Sequence, residues 1–248
     1  MKPTSRLDAL LVTRGLAASR ERARALILAG QVRVDGAPVS KAGHAVALDA
    51  NVTLAEPDHP YVGRGGVKLA HALDAFEIAV AGRIALDVGA STGGFTDVLL
   101  RRGAAKVVAL DVGHGQLDWT IRNDPRVVVI ERVNARTLGP EQLPADARVF
   151  SLVTMDLSFI SLRQVLPAIV PLLDPGGDVV MLVKPQFEAG RAEVAKGGLV
   201  RDPAVHARVV EEVAAAANAL GLTRLATSES PITGIEGNRE FFLHMRHG

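Results

Sequence analysis

The sequence predicts an α/β protein in which a doubly wound, mostly parallel sheet follows a small basic α+β module. Three observations carry this. From Ile84 onward, short apolar runs alternate with amphipathic stretches, the strand–helix alternation of a parallel sheet. Ile84-Ala-Leu-Asp87-Val-Gly89-Ala-Ser91-Thr-Gly93-Gly94-Phe95 passes from a buried-strand pattern through a small-residue loop into a helix start. Charge is unevenly spread: residues 1–48 hold eight Lys/Arg against three acids, a surplus of +5 in a chain whose net charge is +1.

Each element has its own reason. Leu7, Leu10 and Leu11 fall at i, i+3, i+4, which predicts a short helix over Arg6 to Thr13 that Gly15 closes. Ser19 can cap a second helix with the apolar stripe Ala23, Leu26 and Ile27 and with Gly30 just past its end. Arg20 and Arg24 share one side of that helix. Val32-Arg33-Val34, Asp35-Gly36 and Ala37-Pro-Val39 read as a hairpin, and Ala45 to Leu54 as further small strands. Glu56-Pro57-Asp58-His59-Pro60 is a linker, since two prolines in four residues disfavour both helix and sheet. Leu69, Ala72, Leu73 and Phe76 mark a helix with Lys68 in its first turn, where the helix dipole disfavours a cation. Strands are expected at 84–88, 106–111, 127–130, 149–155, 178–183, 222–227 and 240–246, with a long alanine-rich helix over Val205 to Leu220. The boundaries are therefore 1–56 for the basic module, 57–63 for the linker and 64–248 for the sheet domain.

Composition narrows the classes of function. Hydrophobic residues at 48% allow a full core, and no run approaches the ~18 apolar residues of a membrane span. No signal peptide is read and there is no cysteine, so a cytoplasmic protein without disulfides is expected, not attached to a membrane and monomeric. The seven histidines show no metal-ligand spacing, and no metal site is expected.

Ligands of such a sheet bind outside the carboxyl ends of its strands. Gly89, Gly93 and Gly94 do not keep the G-x-G-x-x-G spacing of dinucleotide folds, which disfavours a dehydrogenase. Asp87 would repel a pyrophosphate but suits a cationic ligand, and S-adenosylmethionine is one. Asp111, about 20 residues further and ending the second strand, can bind both ribose hydroxyls of an adenosyl group. Its alternative is a cap for a helix over Val112–Leu117. Asn134, after the third strand, can reach an adenine edge. The cofactor set is thus Asp87, Gly89, Ser91, Gly93, Gly94, Phe95, Asp111 and Asn134. Asp156 and Lys184 each end an apolar strand, where an unpaired charge is costly. An antiparallel last strand would bring Glu240 to the same crevice.

Here two resemblances enter. The two helices and hairpin with Arg6, Arg20, Arg24, Arg33 and, beyond the linker, Arg64 resemble the S4-type RNA-binding module. Lys68, Asp156, Lys184 and Glu240 match, in order and context, the catalytic tetrad of FtsJ-type RNA ribose 2′-O-methyltransferases. Together with Tyr61-Val-Gly-Arg-Gly-Gly-Val-Lys68, Met155-Asp-Leu-Ser-Phe159, Val183-Lys-Pro-Gln-Phe-Glu188 and Gly237-Asn-Arg-Glu240, the chain resembles the TlyA, or hemolysin A, family over nearly its whole length. Gly63 departs from the serine typical of that family. The resemblance implies a Rossmann-like methyltransferase sheet, S-adenosylmethionine as methyl donor, and cytidine 2′-O-methylation in ribosomal RNA, free or within subunits. Lys184 is the expected base or polariser of the ribose hydroxyl, although a lysine serves as base only when its pKa falls well below ~10.4. Competing readings are a non-enzymatic RNA-binding factor on the same scaffold and a haemolysin.

Overall fold

In the computed structural model, residues 3–17, 19–54, 59–234 and 237–248 are described. Glu56, Pro57 and Asp58, at the start of the proline-rich linker stretch, lie outside them. The basic module opens with β1 (Thr4–Arg6), a strand not expected from sequence, whose last residue, Arg6, was expected to begin the first helix. Then come α1 (Leu7–Thr13) and α2 (Arg20–Leu28), the latter capped by the Ser19 hydroxyl, which accepts from Arg22 N. β2 (Val32–Val34), β3 (Ala37–Pro38), β4 (Ala45–Ala47) and β5 (Val52–Leu54) follow. β1 pairs with β4, and β3-β2-β5 form a second small sheet. Leu7, Leu11, Ala23, Ile27 and Val32 close over one another as the module's own core.

The second part begins with α3 (Gly65–Ala75) and runs through β6 (Ile84–Val88), α4 (Gly94–Arg101), β7 (Lys106–Asp111), α5 (Trp119–Arg122) and β8 (Val127–Glu131). β9 (Phe150–Met155), α6 (Leu162–Ile169), β10 (Leu173–Val183), α7 (Pro185–Glu188), α8 (Pro203–Asn218), β11 (Leu222–Glu229) and β12 (Phe241–His247) complete it. Residues 112–117 are not helical; the chain turns there and α5 starts only after Asp118, whose carboxylate accepts from Thr120 N.

The seven strands lie in the order β11-β12-β10-β9-β6-β7-β8. β6 to β10 are parallel, and β12 enters antiparallel between β10 and β11. Alternate residues of a strand face opposite layers. Leu86 and Val88 join the core under α6 and α8, while Ala85 joins that under α3 and α4. Because both faces are covered, the strands read as continuous apolar runs, and polar chemistry collects at their ends.

Candidate active site

β9 and β10 are neighbours, so Asp156 and Lys184, each one residue past its strand, leave the same edge side by side. In the antiparallel pair Val183 faces Phe241, which carries Glu240 to that edge from the other direction. α3 supplies Lys68. The four side chains form two pairs: Lys68 Nζ lies 2.5 Å from Glu240 Oε2, and Lys184 Nζ 2.6 Å from Asp156 Oδ1. Lys184 also donates to Ser158 Oγ at 2.9 Å. Lys68, Lys184 and Glu240 are buried. Burial pushes the Asp156 carboxyl up, but the charges of Lys184 and then Lys68 outweigh it and hold Asp156 below its ordinary value. The charge of Lys68 therefore bears on Asp156, and the pairs make one alternating cluster. Deleting one member leaves its partner's charge buried without compensation.

The glycine loop joins this cluster to the neighbouring cavity. Gly89 has φ +89°, and a Cβ there would stand 2.5 Å from the Asp156 carbonyl oxygen. At Gly94 a Cβ would stand 2.9 Å from Gly66 N, so α4 starts directly against α3. At these two positions the close approach expected of a ligand is made by protein backbone. Asp87 also differs from expectation. It is wholly buried beneath the loop, where Thr96 and Thr154 hydroxyls donate to its two oxygens at 2.6 and 3.0 Å. Burial pushes its carboxyl up to about 7 against those hydrogen bonds. Phe95 faces the core and stacks on Phe242. Asn134 caps a 3-10 turn, its side chain accepting from Arg136 N at 3.0 Å.

Of the eight predicted cofactor residues, Ser91 and Asp111 line the cavity. Asp111 organises it, accepting from Ser91 N at 2.8 Å and Gly113 N at 2.6 Å. Ala90, Ala109, Leu117 and Val129 give apolar walls; Gln116 and Glu131 add polar groups. Each Asp111 oxygen keeps a second lone pair, so the carboxylate at the edge of this apolar slot can accept from a ribose diol. The wall at 113–117 was missed from sequence, its only signal being the glycines beside Asp111. Ser158 and Phe159 were also missed as site residues. Phe159 is 92% exposed, has φ +66° and leans on Phe187 at 5.2 Å between ring centroids.

In the basic module Arg6, Arg20 and Arg24 do lie together, because all three reach the buried carboxylate of Asp8, at 2.9, 3.1 and 3.4 Å. Arg6 chiefly holds that carboxyl well below its usual range against the effect of burial, with Arg20 adding to the pull. Arg33 stands apart and donates to Gly36 O within the hairpin. Arg64 begins α3 with its Cδ against Gly30, at the seam between the two parts. Arg22 crosses the seam to Asp118, 2.6 Å away.

Cations elsewhere on the sheet domain sort by position. Arg101, Arg102, Lys106, Arg122, Arg126, Arg208, Arg224 and Arg239 are each paired with an acid. Arg132, Arg136, Arg191, Lys196 and Arg201, all on connections that leave carboxyl strand ends, have no acidic partner among the described residues. Arg148, before β9, is the exception at the opposite edge.

Comparison with known proteins agrees with this geometry. Residues 61–247 match the model of the FtsJ-like methyltransferases and residues 5–52 that of the S4 domain. The 16S/23S rRNA (cytidine-2′-O)-methyltransferase TlyA of Mycobacterium tuberculosis is 54% identical over 247 residues, covering 99% of this chain and 91% of the relative. A solved structure from Streptococcus thermophilus, grouped by name with the hemolysins, superposes with a TM-score of 0.76 at 41% identity, covering 100% of this chain and 90% of that one. An S-adenosylmethionine-dependent methyltransferase from Listeria monocytogenes shares the fold alone, with a TM-score of 0.55 at 16% identity over 74% of this chain and 99% of that one. The chain therefore belongs to the FtsJ-like methyltransferase family, with an S4 domain ahead of its catalytic sheet.

Proposed function

We propose that this protein transfers a methyl group from S-adenosylmethionine to the ribose 2′-hydroxyl of a cytidine in ribosomal RNA. The observation that carries the reading is the cluster of two lysine–carboxylate pairs beside a cavity suited to an adenosyl group. When bound, the cofactor supplies an electrophilic methyl. The chain's own residues then have to hold the hydroxyl in line and take up its proton, and much of the acceleration is proximity. Lys184 is assigned to the hydroxyl, with Asp156 fixing it by charge. Lys68 and Glu240 fix the opposite side of the ribose. Asp111 and Ser91 hold the adenosyl group. Exposed Phe159, beside Ser158, offers a face on which a base can stack.

Residues 1–56 act as the RNA-binding part, with Arg6, Arg20, Arg24 and Arg33 as phosphate contacts. Arg64, at the start of the 64–248 catalytic part that follows the 57–63 linker, extends them. The name of the tuberculosis relative supports ribosomal RNA as partner, and a cytoplasmic monomer fits that role. A non-catalytic RNA-binding role would leave the paired tetrad without a purpose. No helix among the described residues is long and apolar enough to cross a membrane, so a haemolytic role through a membrane-spanning helix has no support.

The test is methyl transfer to ribosomal RNA and subunits, with the modified ribose mapped, for wild type, Lys184→Ala and Lys184→Arg. Both variants should lose roughly 10²–10⁴-fold in rate if the lysine takes the proton, while S-adenosylmethionine still binds. Arginine keeps the charge but cannot act as base. Substantial activity of Lys184→Arg would reduce Lys184 to a fixed positive charge, and absence of any ribose methylation by the wild type would overturn the whole reading.

A further inference from the structure

We propose that Ser158 is a positioning residue for Lys184 and sets the direction in which its amine faces the substrate hydroxyl. This rests on the reading of Lys184 above. The Lys184 ammonium has three donors to place. Its 2.6 Å contact with Asp156 Oδ1 is an ion pair, and that oxygen has no hydrogen-bond partner among the described residues. The contact with Ser158 Oγ at 2.9 Å is a hydrogen bond. Charge and direction thus come from different residues. Asp156 keeps the group in place by charge, whereas Ser158 fixes one N–H and so limits where the other positions on Nζ point. These include the lone pair that the neutral amine must present to the hydroxyl to take its proton.

The serine is also in the right place for this task. Lys184 is buried while Ser158 is exposed, so the hydroxyl lies at the open mouth of the site, where a nucleotide enters. The turn that carries it is fastened to the segment that follows Lys184. Phe159, forced to a positive φ that a bulky side chain rarely adopts, leans on Phe187. Two residues past Phe159, the Ser161 hydroxyl and then Leu162 N both donate to buried Glu188, at 2.6 and 2.7 Å. Residues 184, 187 and 188 therefore hold 158, 159 and 161–162 in sequence, and the serine stays against the amine because its whole turn is tied down.

The experiment compares Ser158→Ala and Ser158→Thr with wild type in steady-state methyl transfer, with S-adenosylmethionine binding by calorimetry and thermal unfolding alongside. Ser158→Ala should lower kcat by roughly 10- to 100-fold, the scale of one hydrogen bond to a charged group. KM for RNA, cofactor affinity and the unfolding midpoint should stay put, since an exposed hydroxyl contributes little to packing. Ser158→Thr restores the hydroxyl, has room for its methyl group at an exposed position, and should recover most of kcat. Unchanged kcat in the alanine variant, a loss confined to KM, or a threonine variant as poor as alanine would each overturn the proposal. An inactive wild type would instead sink the functional reading beneath it.

Discussion

Asp87 is the residue whose structural role departs furthest from its sequence context, and its environment makes a pH prediction. Burial holds the folded-state carboxyl near pH 7, whereas the unfolded chain releases that proton near 3.8. Between those values the native state binds more protons, so stability falls as pH rises through the window and is level above it. Asp87→Asn should flatten the decline, on the order of 3–5 kcal/mol at most, in unfolding curves taken from pH 4.5 to 8. A variant with the wild-type slope would mean the proton sits elsewhere. Asp8, held low by Arg6, and Asp178, which burial pushes up but His244, Arg83 and Arg246 pull far down, act in the opposite sense and only below about pH 4. Asp111 lines the cavity, and its expected hold on a ribose diol is open to a direct test. Because it holds both Ser91 N and Gly113 N, Asp111→Ala should weaken S-adenosylmethionine binding by at least about 1 kcal/mol in calorimetry. Position along a strand was legible for both aspartates. What closes over each was not, since Thr96 and Thr154 reach Asp87 from a helix and from a non-adjacent stretch of chain, and no local pattern encodes that meeting.

Among elements, those with strong periodicity were read correctly: the parallel strands, α8 and the antiparallel entry of β12 that brings Glu240 to the edge. The departures fall on short pieces and on the start of β10, which begins at Leu173 and not at the expected 178. β1 has three residues and owes its existence to pairing with β4, a partner some forty residues away that propensity does not reveal. Residues 112–117 carry an acid ahead of them that resembles a cap, yet Asp111 spends its oxygens on the cavity loop, and Asp118 caps α5 instead. α7, only four residues long, matters through its last residue. Glu188 serves as an acceptor at the start of α6, a helix otherwise capped by Ser161. Glu188→Ala would strand a buried backbone N–H and should cost roughly 2 kcal/mol in urea unfolding. A loss of a few tenths would show that Ser161 suffices alone.

At the scale of the molecule, the division into basic module and sheet domain was legible from charge alone, but the surface that faces RNA was not. Net charge counts every arginine equally, whereas ion pairing silences most of those on the sheet domain. The unpaired Arg132 and Arg136 should act as phosphate contacts: changing both to Ala should weaken RNA binding and reduce its salt slope by roughly two, while Arg208→Ala, already paired with Glu193, should leave both unchanged. Equal effects would make the sorting by position meaningless. The Arg22–Asp118 bridge joins the module to the sheet domain beside the cavity wall. The Lys68–Glu240 pair has one more consequence, in time rather than space. Its partners are 172 residues apart, whereas the cavity is lined by residues between Ala90 and Glu131. Bringing partners so distant together means closing the long loop between them first. A chain still leaving its ribosome carries every cavity-lining residue before Glu240 has been translated, and the paired cluster can close only once β12 joins the sheet.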